Sequence, residues 1–157
     1  MRADLRPRIR RLAKNLLIAA FLGLALGYTT FYSVFPNVSA PAAGESSFPL
    51  IIGILAAAAL VAGLVTEDLP ECVTQAFLGI PFGIGIAFAI AISPVLTGFL
   101  EVRIEDLFSF IVRLGLPVYL LAVPLYLVGS LAGLLVRERL GLRSASYLRT
   151  YAKGYRK

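Results

Sequence analysis

Four apolar runs, each about as long as a membrane crossing, dominate this chain. They cover about residues 14–35, 48–66, 70–92 and 115–136, and none has Asp, Glu, Lys or His in its middle. A helix needs roughly twenty apolar residues to cross the hydrocarbon layer of a bilayer. Inside that layer no water serves the peptide groups, so the backbone must satisfy itself within the helix. Composition agrees, with 59% hydrophobic residues and a mean hydropathy of +0.85, against about 45–50% apolar in soluble domains. The expected fold is an all-α integral membrane protein, a four-transmembrane-helix bundle with no room for a second domain.

The charges set the expected orientation. The net charge is +6, yet only two of the 15 basic residues, Arg103 and Arg113, lie between the first and last apolar runs. The rest sit in a lead-in, residues 1–13 with Lys14, and in a tail, residues 137–157. Basic segments beside a span stay on the cytoplasmic face and attract anionic lipid. Both termini are therefore expected inside a cell membrane (N-in/C-in). Pro7 is expected to break any helix in the lead-in. The first run is too long for the apolar core of a signal peptide, so it reads as a retained span. In the tail, Tyr147, Tyr151 and Tyr155 recur every four residues, among Arg149, Lys153, Arg156 and Lys157. That pattern predicts a basic surface helix on the anionic inner leaflet. RNA would also suit basic and aromatic residues, but no RNA-binding fold is legible, so nucleic acid is not expected.

Between the third and fourth spans the pattern changes. Over residues 101–114, Ile104, Leu107, Phe108, Ile111 and Leu114 share one side, while Arg103, Asp106, Ser109 and Arg113 occupy the other. This predicts an interfacial amphipathic helix lying flat before the last span. It places Arg113 at the membrane edge, where a charge costs little, and not inside the bundle. Ser93-Pro94 is expected to end the third span, because the residue before proline avoids helical geometry. In the acidic loop between spans 2 and 3, Asp68 and Glu71 have capping-box spacing. The alternative for this loop is pairing with the chain's own basic ends or with a partner. Asn37-Val38-Ser39 is a formal glycosylation sequon in the first loop.

Each span carries a pair of small residues four apart: Gly23/Gly27, Ala59/Gly63, Gly79/Gly83 and Gly129/Gly133. Such steps let helix backbones approach closely in lipid. Pro81 and Pro124 fall inside spans 3 and 4, where each removes a backbone hydrogen bond and predicts a kink. Gly79–Gly85 with Pro81 reads first as a packing notch. Its alternative is a broken-helix site, at which the carbonyls of Ala76 and Phe77 would be open to a ligand or a pore.

Catalytic chemistry is not legible. There is no histidine, a single cysteine (Cys72), and no paired carboxylates within a span. The chain is expected to be no enzyme and to need no cofactor or metal. The leading functional expectation is a non-enzymatic membrane protein acting through helix–helix association, as a homo-oligomer or an accessory subunit. A small oligomeric transporter or channel is the alternative, and a lipid-modifying enzyme the third.

Overall fold

The computed structural model describes residues 5–34, 48–98 and 103–140, with side chains from residue 9 onward. Among them there are four helices and no strand: α1 (Leu5–Val34), α2 (Phe48–Val65), α3 (Leu69–Leu96) and α4 (Ile104–Arg139). All four are long and apolar enough to cross a membrane. The first loop with Asn37, and the tail with Arg149, Lys153, Arg156 and Lys157, lie outside the described residues.

Several expected boundaries move. Pro7 does not break α1. It falls in the first turn, where the missing N–H had no helical partner to lose. α3 continues through Pro94 to Leu96, two residues past the proline expected to end it. The stop comes at Gly98, whose φ of 75° suits a residue without a Cβ and whose N–H donates to the Val95 carbonyl at 3.1 Å.

The largest correction concerns residues 104–139. The flat helix and the fourth span are one continuous 36-residue helix, about 54 Å long at 1.5 Å per residue. One buried face runs its whole length through Leu107, Ile111, Gly115, Val118, Tyr119, Ala122 and Tyr126. Leu107 and Ile111 pack with Ala87 and Ala91 of α3, and Phe108 meets Phe88 edge-on, with ring centroids 5.5 Å apart. An amphipathic stretch that can bury its stripe against a neighbour stays upright in the bundle. Arg113 lies exposed on the outer side of this helix.

α1 packs most extensively on α3, and α2 on α4. Both pairs are parallel: Gly23 meets Phe82 and Gly27 meets Ile86, while Gly129 meets Ala59 and Gly133 meets Gly63. The chain thus forms two hairpins, α1–α2 and α3–α4, stacked like on like. α1 and α4 touch across the short diagonal; α2 and α3 hold the far corners. The centre is apolar, built from Leu22, Leu26, Leu55, Ala59, Ala122 and Tyr126 among others. Tyr126, fully buried, donates from its hydroxyl to the Leu22 carbonyl at 2.5 Å. That bond satisfies the one polar atom of a large core side chain and ties α4 to α1.

The packing predicts a contrast between two glycines of α2. A Cβ on Gly63 would run into the backbone of Ser130, whereas one on Gly53 would meet nothing within 4 Å. Gly63→Ala should destabilise the protein by about 1–3 kcal/mol through overpacking. Gly53→Ala should leave it unchanged or stabilise it by up to about 1 kcal/mol through helix propensity. Thermal unfolding of both variants in the same detergent checks the sign of each.

Candidate functional site

The eight small residues singled out from the sequence come together as two matched sets. Gly23 and Gly27 of α1 face Gly79 and Gly83 of α3. A Cβ on Gly27 would lie 2.9 Å from the Gly83 carbonyl oxygen, and one on Gly83 would lie 2.7 Å from Leu26 Cδ2. Ala59 and Gly63 of α2 face Gly129 and Gly133 of α4. A Cβ on Gly129 would come 2.5 Å from Ala59 Cβ, and one on Gly133 would come 2.9 Å from Gly63 Cα. All four steps are consumed inside one chain. None of them is left to dock a neighbour.

A second set of small residues points outward. Gly53 and Ala57 on α2, and Gly85 and Ala89 on α3, are exposed pairs with the same four-residue spacing. A Cβ added to Gly53 or to Gly85 would meet nothing within 4 Å. Beside Ala57 lies an open apolar cavity of about 570 Å³ between α1 and α2. Phe21, Leu24 and Tyr28 form its α1 side, and Ile54, Ala57 and Val61 its α2 side. The sequence carries a signal for this face, but a masked one, because Gly53 and Ala57 sit among many other small residues in α2.

The internal prolines bear on the broken-helix alternative. α3 remains helical through Pro81 and Pro94, and α4 through Pro117 and Pro124. The carbonyls they leave without a helical partner belong to Phe77, Ile90, Arg113 and Leu120, each four residues back. All four of those residues are exposed on the outside of the bundle. Phe77 itself is exposed on the outside of the bundle, and Ala76 beside it is fully buried in the apolar centre.

The polar chemistry gathers at the end where α1 and α3 begin and α2 and α4 finish. Lys14 Nζ lies 2.8 Å from Glu67 Oε1, an ion pair joining α1 to the α2–α3 link. Arg137 Nη1 donates to the Thr66 carbonyl, bringing in α4. Beneath them Thr66 Oγ1 donates to Gln75 Oε1 at 2.8 Å, and Gln75 Nε2 donates to Asn15 Oδ1 at 2.9 Å. Thr66 and Gln75 are fully buried, so this chain of partners offsets the cost of placing two polar side chains there. The predicted capping box does not form. Asp68 makes no side-chain cap bond, and Glu71 Oε2 instead accepts from the Glu67 N–H at 3.4 Å. The loop pairs with the chain's own basic residues because Lys14 brings a full charge to Glu67.

Two buried hydroxyls stand apart from these networks. Among the described residues, Thr30 Oγ1 and Tyr119 Oη are the buried side-chain polar atoms with no hydrogen-bond partner on the chain. No three of His, Cys, Asp and Glu converge among the described residues as metal ligands would. Comparison with known proteins finds no matching family, curated protein or solved structure.

The polar end predicts a pH dependence. The bond to Lys14 and its charge, with Arg137 and Arg11 nearby, hold the Glu67 carboxyl below its usual pKa. A depressed carboxylate pKa contributes stability that is present above the unfolded-state value and is lost as pH falls through the folded-state value. Glu67→Gln should cost only about 0.2–1 kcal/mol at neutral pH, as for an exposed pair. That difference from the parent should vanish in acid and shrink in high salt. Unfolding curves of both proteins across pH 3–7 measure it; a gap that persists in acid counts against the pairing.

Proposed function

We propose that the protein is a non-enzymatic multi-pass membrane protein that works by associating with further membrane helices, a second copy of itself first among them. The observation that carries this reading is the open Gly53/Ala57 step on α2 beside the apolar cavity at the α1–α2 seam. Close approach of a helix there would cost no side-chain displacement and would fill a concave apolar surface. The Gly85/Ala89 step on α3 supplies a second face of the same kind.

The outer surface supports a lipid setting. No more than 44% of the most apolar window of any helix is buried inside the bundle. Exposed large apolar residues such as Leu17, Phe77, Leu120 and Val128 cover the rest. Arg10, Arg11, Lys14, Arg137 and Arg139 share one end of the bundle. In this proposal that end faces the cytoplasm, following the positive-inside rule, and the basic tail rests on anionic lipid.

The test is the size of the protein–detergent particle after mild solubilisation, read by native mass spectrometry. The parent chain is expected as an oligomer or with a co-purifying membrane partner. Gly53→Leu with Ala57→Leu should release it, weakening association about tenfold for each 1.4 kcal/mol of lost packing. The melting point should fall no further than to that of the parent diluted until it dissociates, because both positions are open in the single chain. A parent chain that is monomeric and alone removes the basis of the proposal.

A further inference from the structure

Given the lipid setting proposed above, on which it depends, we propose that the α3–α4 hairpin projects out of the bilayer at the end opposite Lys14 and Arg137. Asp106 and Ser109 then stand in water, and the Arg113 guanidinium lies among the lipid phosphates of that leaflet.

Charge fixes the height of the bilayer along α4. Residues 114–136 contain no Asp, Glu, Lys or Arg. They measure about 35 Å along the axis, against roughly 30 Å of hydrocarbon. Before them come Arg103, Glu105, Asp106 and Arg113, all exposed, and a charge is costly inside that layer. After them comes Arg137, which donates to the Thr66 carbonyl next to the Lys14–Glu67 pair. The layer has little freedom to slide either way. About 30 Å from Arg137 lies Pro117.

The neighbouring helices reach the same plane and go no further among the described residues. α2 begins at Phe48, eleven residues before Ala59, which meets Gly129; the same step back from Gly129 is Val118. α1 is described to Val34, four residues past Thr30, which meets Gly115. The first two turns of α4 thus have only α3 beside them. The packing changes there as well. Leu107 and Ile111 join Ala87 and Ala91 in a cluster separate from the central one, and Phe108 meets Phe88 edge-on. Burying large side chains between two helices is favoured by water; lipid offers no such drive. The hairpin carries a small core of its own.

Depth assigns the residues. Arg113 lies about 6 Å past Pro117, within a headgroup region roughly 5–7 Å deep on each side. A guanidinium there can fork onto a phosphate. Its own carbonyl, which Pro117 leaves without a helical donor, meets water at that depth. Asp106 lies about 16 Å past Pro117, beyond the headgroups.

The full chain is tested in phosphatidylglycerol vesicles, in buffer free of inorganic phosphate. A spin label is placed on one added cysteine at a time: Asp106→Cys, Ser109→Cys, Leu120→Cys and Val128→Cys, all at exposed positions. Cys72 is buried, and the parent chain is the blank. Labels at 106 and 109 should collide freely with a water-soluble nickel complex, and labels at 120 and 128 with oxygen dissolved in the lipid. Shelter from nickel at 106 and 109 equal to that at 120 overturns the projection and leaves the lipid setting intact. Nickel reaching all four positions overturns the lipid setting, and the projection with it. The phosphate contact is read by solid-state NMR as dephasing of arginine Cζ by lipid phosphorus. In Arg113→Gln the dephased signal should fall by one arginine's share; an unchanged signal overturns the contact.

Discussion

Everything in this bundle depends on backbones that nearly touch. Lipid gives two apolar helices no hydrophobic reason to associate, so dispersion contacts at short range must supply it. The two parallel seams, α1 on α3 and α2 on α4, are built where glycine or alanine lets one helix press on the backbone of another. With those seams in place, the large side chains have fixed positions. Tyr126 lies against Gly79, where an added Cβ would sit 3.4 Å from its ring, and reaches across to Leu22.

The polar end plays a different part. It ties α1, the α2–α3 link, α3 and α4 together through Lys14, Glu67, Thr66, Gln75, Asn15 and Arg137. Hydrogen bonds are directional where packing is not, so this layer sets the heights of the helices relative to one another. A one-turn slip of α1 along α3 would keep a glycine near a glycine at the seam. It would also pull Asn15 away from Gln75 and Lys14 away from Glu67.

Much of this is legible in the sequence, and the limits are instructive. The four helices follow from uninterrupted apolar length, a signal that needs no partner to be seen. The small-residue steps announce close approach but not the helix approached, since spacing on one helix carries no address. Order along the chain favours α1 with α2, whereas the seams join α1 with α3. Prolines mislead in a consistent direction. Pro7 and Pro94 look like boundaries, yet Pro7 falls in the first turn of α1 and Pro94 in the last turn of α3, and both stay within their helices. The stretch 101–114 looks flat because its own amphipathicity matches a membrane surface as well as a packed stripe; Ala87 and Ala91, on another helix, decide between them. Lys14 and Glu67 are 53 residues apart, and no local pattern links them. The open Gly53/Ala57 face is hidden by the abundance of small residues around it.

The like-on-like stacking of the hairpins has a consequence for how the protein is made. α1 and α2 are made first, and neither is the other's main partner. The Gly23/Gly27 notch stays empty until α3 arrives, and the Ala59/Gly63 notch until α4 does. The first hairpin is therefore a loosely joined pair until then: its α1 seam closes with α3 and its α2 seam only with α4. Synthesis and packing are thus kept apart in time by nothing more than the order of the helices.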